Sequence, residues 1–183
     1  MNVKDKIDEL REYVKKKFDE ADLKFCGFKW YFDEHISHVE RIAQKLALKY
    51  GADLTVVRLA ALFHDIGLIG KGRQGHEERS AKIAEKILTE KGFNKRTIKR
   101  VKSCILQNSD EIEAKVLSTA DALSHFRASF LFVKAKMFQS YKDFKKWVIE
   151  KLEQDLKRIK FQDEYKCAKK KLELIKSILS ENP

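Results

Sequence analysis

A chain of 183 residues with one proline, at its very end (Pro183), and seven glycines has little with which to make sharp turns. Sheet-rich folds need a turn signal roughly every 8–12 residues, so this chain favours long helices with few breaks. The apolar periodicity agrees. Val3, Ile7, Leu10, Val14 and Phe18 recur at helical spacing and predict a helix over 3–20. A second is expected over "EHISHVERIAQKLALKY", with Asp33 as its cap and Gly51 as its stop. Asp53 is the expected cap of a third, "LTVVRLAALFHD", closed by Gly67. The stretch "HEERSAKIAEKILTEK" gives a fourth, stopped by Gly92, and Asn94 caps "KRTIKRVKSCILQ". Residues 111–137 read as one long helix or two joined end to end, and 141–160 and 163–180 as two more. No alternating run is long enough for a strand. The expected architecture is all-α: a single compact bundle-like domain of seven to eight helices over 1–183.

Against this background a few polar residues sit where apolar ones are expected. His38 lies beside Val39 in "HISHVERIA". His64 and Asp65 end the apolar run "AALFHDIG". Asp121 is enclosed by Val116, Leu117, Ala120, Ala122 and Leu123. Each alone has an ordinary explanation: a core-edge histidine, a helix end, a carboxylate bonded to Ser118, Ser124 or His125. Together they form a set of nitrogen and oxygen ligands suited to a divalent ion, whether Mn, Fe, Co, Ni, Zn or Mg. Such an ion offsets the cost of burying two carboxylates. Adjacent His64 and Asp65 stand about 100° apart around a helix, so both reach one ion only over the groove between them.

Four of the seven glycines (Gly67, Gly70, Gly72 and Gly75) fall in "GLIGKGRQG", which carries Lys71 and Arg73. With Arg79 in the next helix, these cations are candidate substrate-binding phosphate grips beside the metal. His76 opens that helix and is either a polar first-turn residue or a catalytic group; Glu77 and Glu78 suit the helix dipole. The formal charge of +11, from 39 Lys and Arg, suits an anionic partner. Much of it is solvated surface, since 37% of residues are charged. Cys26, Cys104 and Cys167 form no CxxC pair, so neither a disulfide framework nor a zinc ribbon is implied. "GKG" lacks the flanking pattern of a Walker loop, and no serine sits in a nucleophile elbow. The charged start "MNVKDKIDEL" and the lack of any run near 18 apolar residues point to a cytoplasmic protein without a membrane partner.

The order of the elements is more specific than any one of them. His38 in "HVERIA", then "AALFHDIG", "GHEERSA" and "LSTADALSHF" resembles the HD superfamily of metal-dependent phosphohydrolases, with the motif-bearing core at about 33–126 and the helices of 141–181 packed on it. The resemblance implies one divalent metal held by His38, His64, Asp65 and Asp121. It favours His38 over His35, because the ligand stands directly before the "V-x-R-I" stretch. Where dinuclear members carry a further histidine, this chain has Gln107 or Asn108, which argues against a second metal. The implied activity is hydrolysis of a phosphomonoester or nucleotide by a metal-activated water, with Asp65 and His76 as catalytic residues. The alternative is an HD-like module that binds a nucleotide or nucleic acid with little chemistry; the intact metal set and the lack of an RNA-binding aromatic motif count against it.

Overall fold

The computed structural model describes residues 2–21 and 30–180; Cys26, Pro183 and most of the aromatic link after the first helix lie outside them. Among the described residues there are nine α-helices and no strand. They are α1 (Val3–Glu20), α2 (Ser37–Tyr50), α3 (Leu54–Phe63), α4 (His76–Glu90), α5 (Lys95–Ile105), α6 (Ile112–Ser124), α7 (Ala128–Ala135), α8 (Tyr141–Arg158) and α9 (Gln162–Ser180). A single π-helical turn, Phe32–Ile36, runs into α2, and a 3-10 turn, Ile66–Leu68, follows α3. The count is one above the expected range, because 111–137 divides at His125–Arg127 into α6 and α7. Asp33 does not cap α2: the helical path starts earlier, and its carboxylate meets Lys15 instead. The caps expected at Asp53 and Asn94 form, Asp53 accepting from the amides of Thr55 and Val56 and Asn94 from that of Thr97. No described helix is long and apolar enough to cross a membrane.

α3 is the axis of the molecule. Val56, Val57 and every residue from Leu59 to Phe63 are buried, and α1, α2, α4, α5 and α6 all pack on it. A helix with so little polar surface gains about 1.5–3 kcal/mol for each large side chain enclosed. It therefore holds its C-terminal end in the interior, which carries His64 and Asp65 to depth. Two buried carboxylates brace its flanks. Glu40 accepts from Arg11 of α1 and Arg58 of α3. Glu113 of α6 accepts from the Asp53 amide and pairs with Arg100 of α5. A second, smaller apolar cluster (Phe126, Val148, Leu152, Ala168 and Leu172 among others) packs α8 and α9 against the end of α6.

Gly67 is where the 3-10 turn leans on the first turns of α4. A Cβ there would lie 2.3 Å from the His76 carbonyl oxygen and 2.7 Å from the Ser80 amide nitrogen. The contact is locked by bonds from the Gly67 amide to the Ser80 hydroxyl and from Arg79 to the Gly67 carbonyl, each 2.9 Å. Overpacking of a closed site typically costs 1–3 kcal/mol. Gly67→Ala is therefore expected to lower stability by about 2 kcal/mol or more in urea unfolding, with α4 displaced from α3; an unchanged midpoint would show that the two elements can separate freely.

Candidate metal centre and active site

Three helical segments and one turn meet at the end of α3. His64 follows the last residue of α3 in helical geometry, and Asp65 then leaves it, with φ −111° and ψ 3°. That departure lets neighbouring side chains turn to the same point: His64 Nε2 lies 3.4 Å from Asp65 Oδ2. Asp121 of α6 brings Oδ1 to 3.7 Å from His64 Nε2. The fourth member is His35, on the π turn. Its Nε2 is 3.3 Å from His64 Nε2, from Asp65 Oδ2 and from Asp121 Oδ1.

The protons decide what this cluster is. His64 Nδ1 lies 2.8 Å from the Ala61 carbonyl, which can only accept, so Nδ1 donates and Nε2 is the nitrogen turned toward the cluster. The Ser124 hydroxyl donates to the Asp121 carbonyl at 2.7 Å and so accepts from His35 Nδ1 at 3.2 Å. Two imidazole nitrogens and two carboxylate oxygens thus gather around His35 Nε2, which lies 3.3 Å from each of the other three, while His64 Nε2 lies 3.4 Å from Asp65 and 3.7 Å from Asp121. Unprotonated, these atoms repel, and a shared cation, whether a proton or a metal ion, draws them together. Metal–ligand bonds of about 2.0–2.2 Å place neighbouring ligand atoms roughly 3–3.5 Å apart, so the donor set fits a divalent ion. Burial lowers the pKa of His35 to about 4, Asp65 and Asp121 only partly opposing it, so the ring is neutral and ligand-competent near pH 7. Burial raises the Asp65 carboxyl, but His64, His35 and His76 together outweigh that and hold it well below the usual range. For Asp121 burial is likewise outweighed, first by Arg158 and then by the histidines.

His38 is not in the cluster. It lies on the outer face of α2, half-buried, with its ring against Arg41 at 2.9 Å and exposed Lys45 one turn further on. His35 instead shares its face with Val39, Ile42 and Ala43, which point inward or lie at the core edge. The same periodicity is present in the sequence: three residues on from His38 stands an arginine, four on from His35 a valine.

The cluster forms the floor of a cavity of about 310 Å³. His76 lines it, its Nδ1 donating to the Arg73 carbonyl at 2.7 Å and its Nε2 3.3 Å from Asp65 Oδ1. The Tyr31 hydroxyl donates to Asp65 Oδ2 at 2.5 Å. Of the three cations read as candidate phosphate grips, only Arg73 lines the cavity. Lys71 is exposed and does not line it. Arg79 is engaged by the backbone, donating to the carbonyls of Gly67, Gly72 and Gln74. It fastens the loop and is not a free phosphate grip. Gln107 lines the cavity with φ of +52°, whereas Asn108 accepts from the Ser103 hydroxyl. Sequence reading missed His125, Lys151 and Arg158 as cavity residues; the last two lie on α8, remote from every motif.

A model of the HD domain matches residues 32–126, a little over half of the chain. The chain belongs to the HD domain family. Solved structures share the wider fold. An HD-superfamily hydrolase from Bacillus thuringiensis superposes with a TM-score of 0.74 at 19% identity, over 97% of this chain and 95% of that one. YpgQ from Bacillus subtilis, crystallised in complex with ADP, gives 0.72 at 24% identity, over 98% and 94%. A predicted HD superfamily hydrolase from an uncultured Thermotogales bacterium gives 0.66 at 19%, over 98% and 95%. None of the curated proteins matches. At these identities the neighbours establish the fold, and the HD site rests on this chain's own atoms.

His35→Ala is expected to weaken divalent-metal binding by more than the 10–100-fold typical of losing a ligand's supporting residue, while His38→Ala leaves it within about twofold. Metal titration of the chelator-treated protein, read by calorimetry, separates the two; equal losses would remove His35 from the centre.

Proposed function

We propose that this protein is a metal-dependent phosphohydrolase that cleaves a phosphomonoester or a nucleotide. One observation carries the reading. Four potential ligand atoms, from His35, His64, Asp65 and Asp121, gather within 3.3–3.7 Å of a neighbour at the floor of a cavity that also has cationic side chains in its wall. A divalent ion held by these residues makes water nucleophilic near neutral pH and polarises a phosphoryl oxygen.

The chain's own residues do the rest. Tyr31 and His76 bind opposite oxygens of Asp65, so this carboxylate has a fixed orientation from which Oδ1 accepts a proton or directs a water. We assign His76 the hand-over of a proton to the leaving oxygen: its Nδ1 is anchored on the Arg73 carbonyl, and its Nε2 edge borders the cavity. Arg73, Lys151 and Arg158 offer charge-assisted hydrogen bonds to phosphoryl oxygens. That ADP occupies the related Bacillus subtilis structure supports a nucleotide among the substrates.

The test is elemental analysis of the purified protein, followed by a panel of phosphomonoesters and nucleotides with Mn, Co, Ni or Mg. Turnover is expected with at least one metal. Asp65→Ala is expected to lose at least about 100-fold in kcat, the scale on which removing a single charge-stabilising group acts. No turnover with any metal, or full turnover by Asp65→Ala, would sink the reading.

A further inference from the structure

The match to the HD domain ends at residue 126, yet one wall of the cavity comes from beyond it. Lys151 and Arg158 of α8 both line that wall. Between them on the same helix is Asp155, a carboxylate with no exposure at all. It accepts from Lys151 Nζ at 2.7 Å, from Arg158 at 3.2 Å and, on its other oxygen, from His125 Nδ1 at 2.9 Å. The bond to Nδ1 leaves His125 Nε2 facing the cavity, 3.9 Å from Asp121 Oδ1. Arg158 reaches on to Asp121 Oδ2 at 2.6 Å. The end of α8 is bolted to α6 by two further bonds, Ser118 hydroxyl to the Arg158 carbonyl at 3.1 Å and the Lys160 amide to the Thr119 hydroxyl at 3.0 Å.

A buried carboxylate is costly unless its partners satisfy it. Asp155 is satisfied by three groups that all belong to the cavity wall, so its burial arranges that wall. The charge balance gives the wall a task. Asp65, Glu77, Asp121 and the Asp155 behind them stand against Arg73, Lys151 and Arg158. A doubly charged ion on the centre would leave a balance of one positive charge. Lys151 and Arg158 each carry more N–H groups than these ion pairs use.

We propose that α8 completes the active site: Lys151 and Arg158 bind an anionic group of the substrate, and Asp155 is the positioning residue that holds both cations and the His125 ring. This rests on the reading of the cavity as a phosphoester site.

The experiment uses the full chain, metal-loaded, with ADP and inorganic phosphate as probes in calorimetry and with kinetics on any phosphoester that is turned over. Lys151→Met is expected to weaken anion binding about tenfold, the effect of one lost charge-assisted bond. It should raise KM by a similar factor with kcat changed less and metal content unchanged, and Lys151→Arg should restore most of the affinity. Asp155→Asn is expected to reproduce the KM effect with metal retained. Should that variant fail to fold, as judged by circular dichroism, the Lys151 pair decides alone. Unchanged anion affinity and KM in Lys151→Met would overturn the proposal, as would failure of the unaltered protein to bind either anion. Weakened ADP binding without any turnover would sink the hydrolase reading while leaving the wall in place.

Discussion

One constraint organises the described structure: α3 carries His64 and Asp65 into the interior, where they meet His35 and Asp121. His35, His64, Asp65 and Asp121 bring two imidazole nitrogens and two anionic oxygens together. Unprotonated, these groups repel one another, and a proton or a metal ion among them reverses that. They are held by what lies behind them: the Ala61 carbonyl, the Ser124 hydroxyl, the Tyr31 hydroxyl and the guanidinium of Arg158. Each supporting bond fixes a tautomer or an orientation, so the cluster has one arrangement, and a cation removes its repulsion.

The supports come from the core. α3 is apolar almost all round, and its end stays in the interior because the helix has no face to offer to water. Gly67 lets the chain turn back within van der Waals contact of α4. Arg79, by gathering the carbonyls of Gly67, Gly72 and Gln74, fastens the loop that carries Arg73 and leads into His76. The glycine loop serves the site less as a mobile phosphate cradle than as a shaped lip, tied at its base.

α8 has a different relation to the centre. Its apolar face, Val148 and Leu152, builds the smaller core, while its other side sends Lys151, Asp155 and Arg158 toward α6. The direct Arg158–Asp121 pair couples that helix to the His/Asp cluster. The acidic centre and the basic wall share one carboxylate, and a change on either side is felt on the other.

The helical fold was legible from periodicity and from the scarcity of turn-formers, and His64, Asp65 and Asp121 stood out because buried carboxylates and imidazoles are conspicuous on apolar helices. The inward placement of His35 and the outward placement of His38 were recoverable too, since Val39 and Arg41 mark inward and outward faces of α2. By itself the sequence determined the all-α class, the capped ends of α3 and α5, and three of the four acceptor residues, because these follow from local backbone chemistry and from a polarity pattern that repeats along one helix. Only the tertiary structure decided that Arg79 holds backbone while Arg73 faces the cavity, and that Lys151 and Arg158 line that cavity with Asp155 buried behind them. A charged side chain on a Lys-rich helix looks the same whether it meets water or a carboxylate, and which it meets depends on how helices distant in the chain pack.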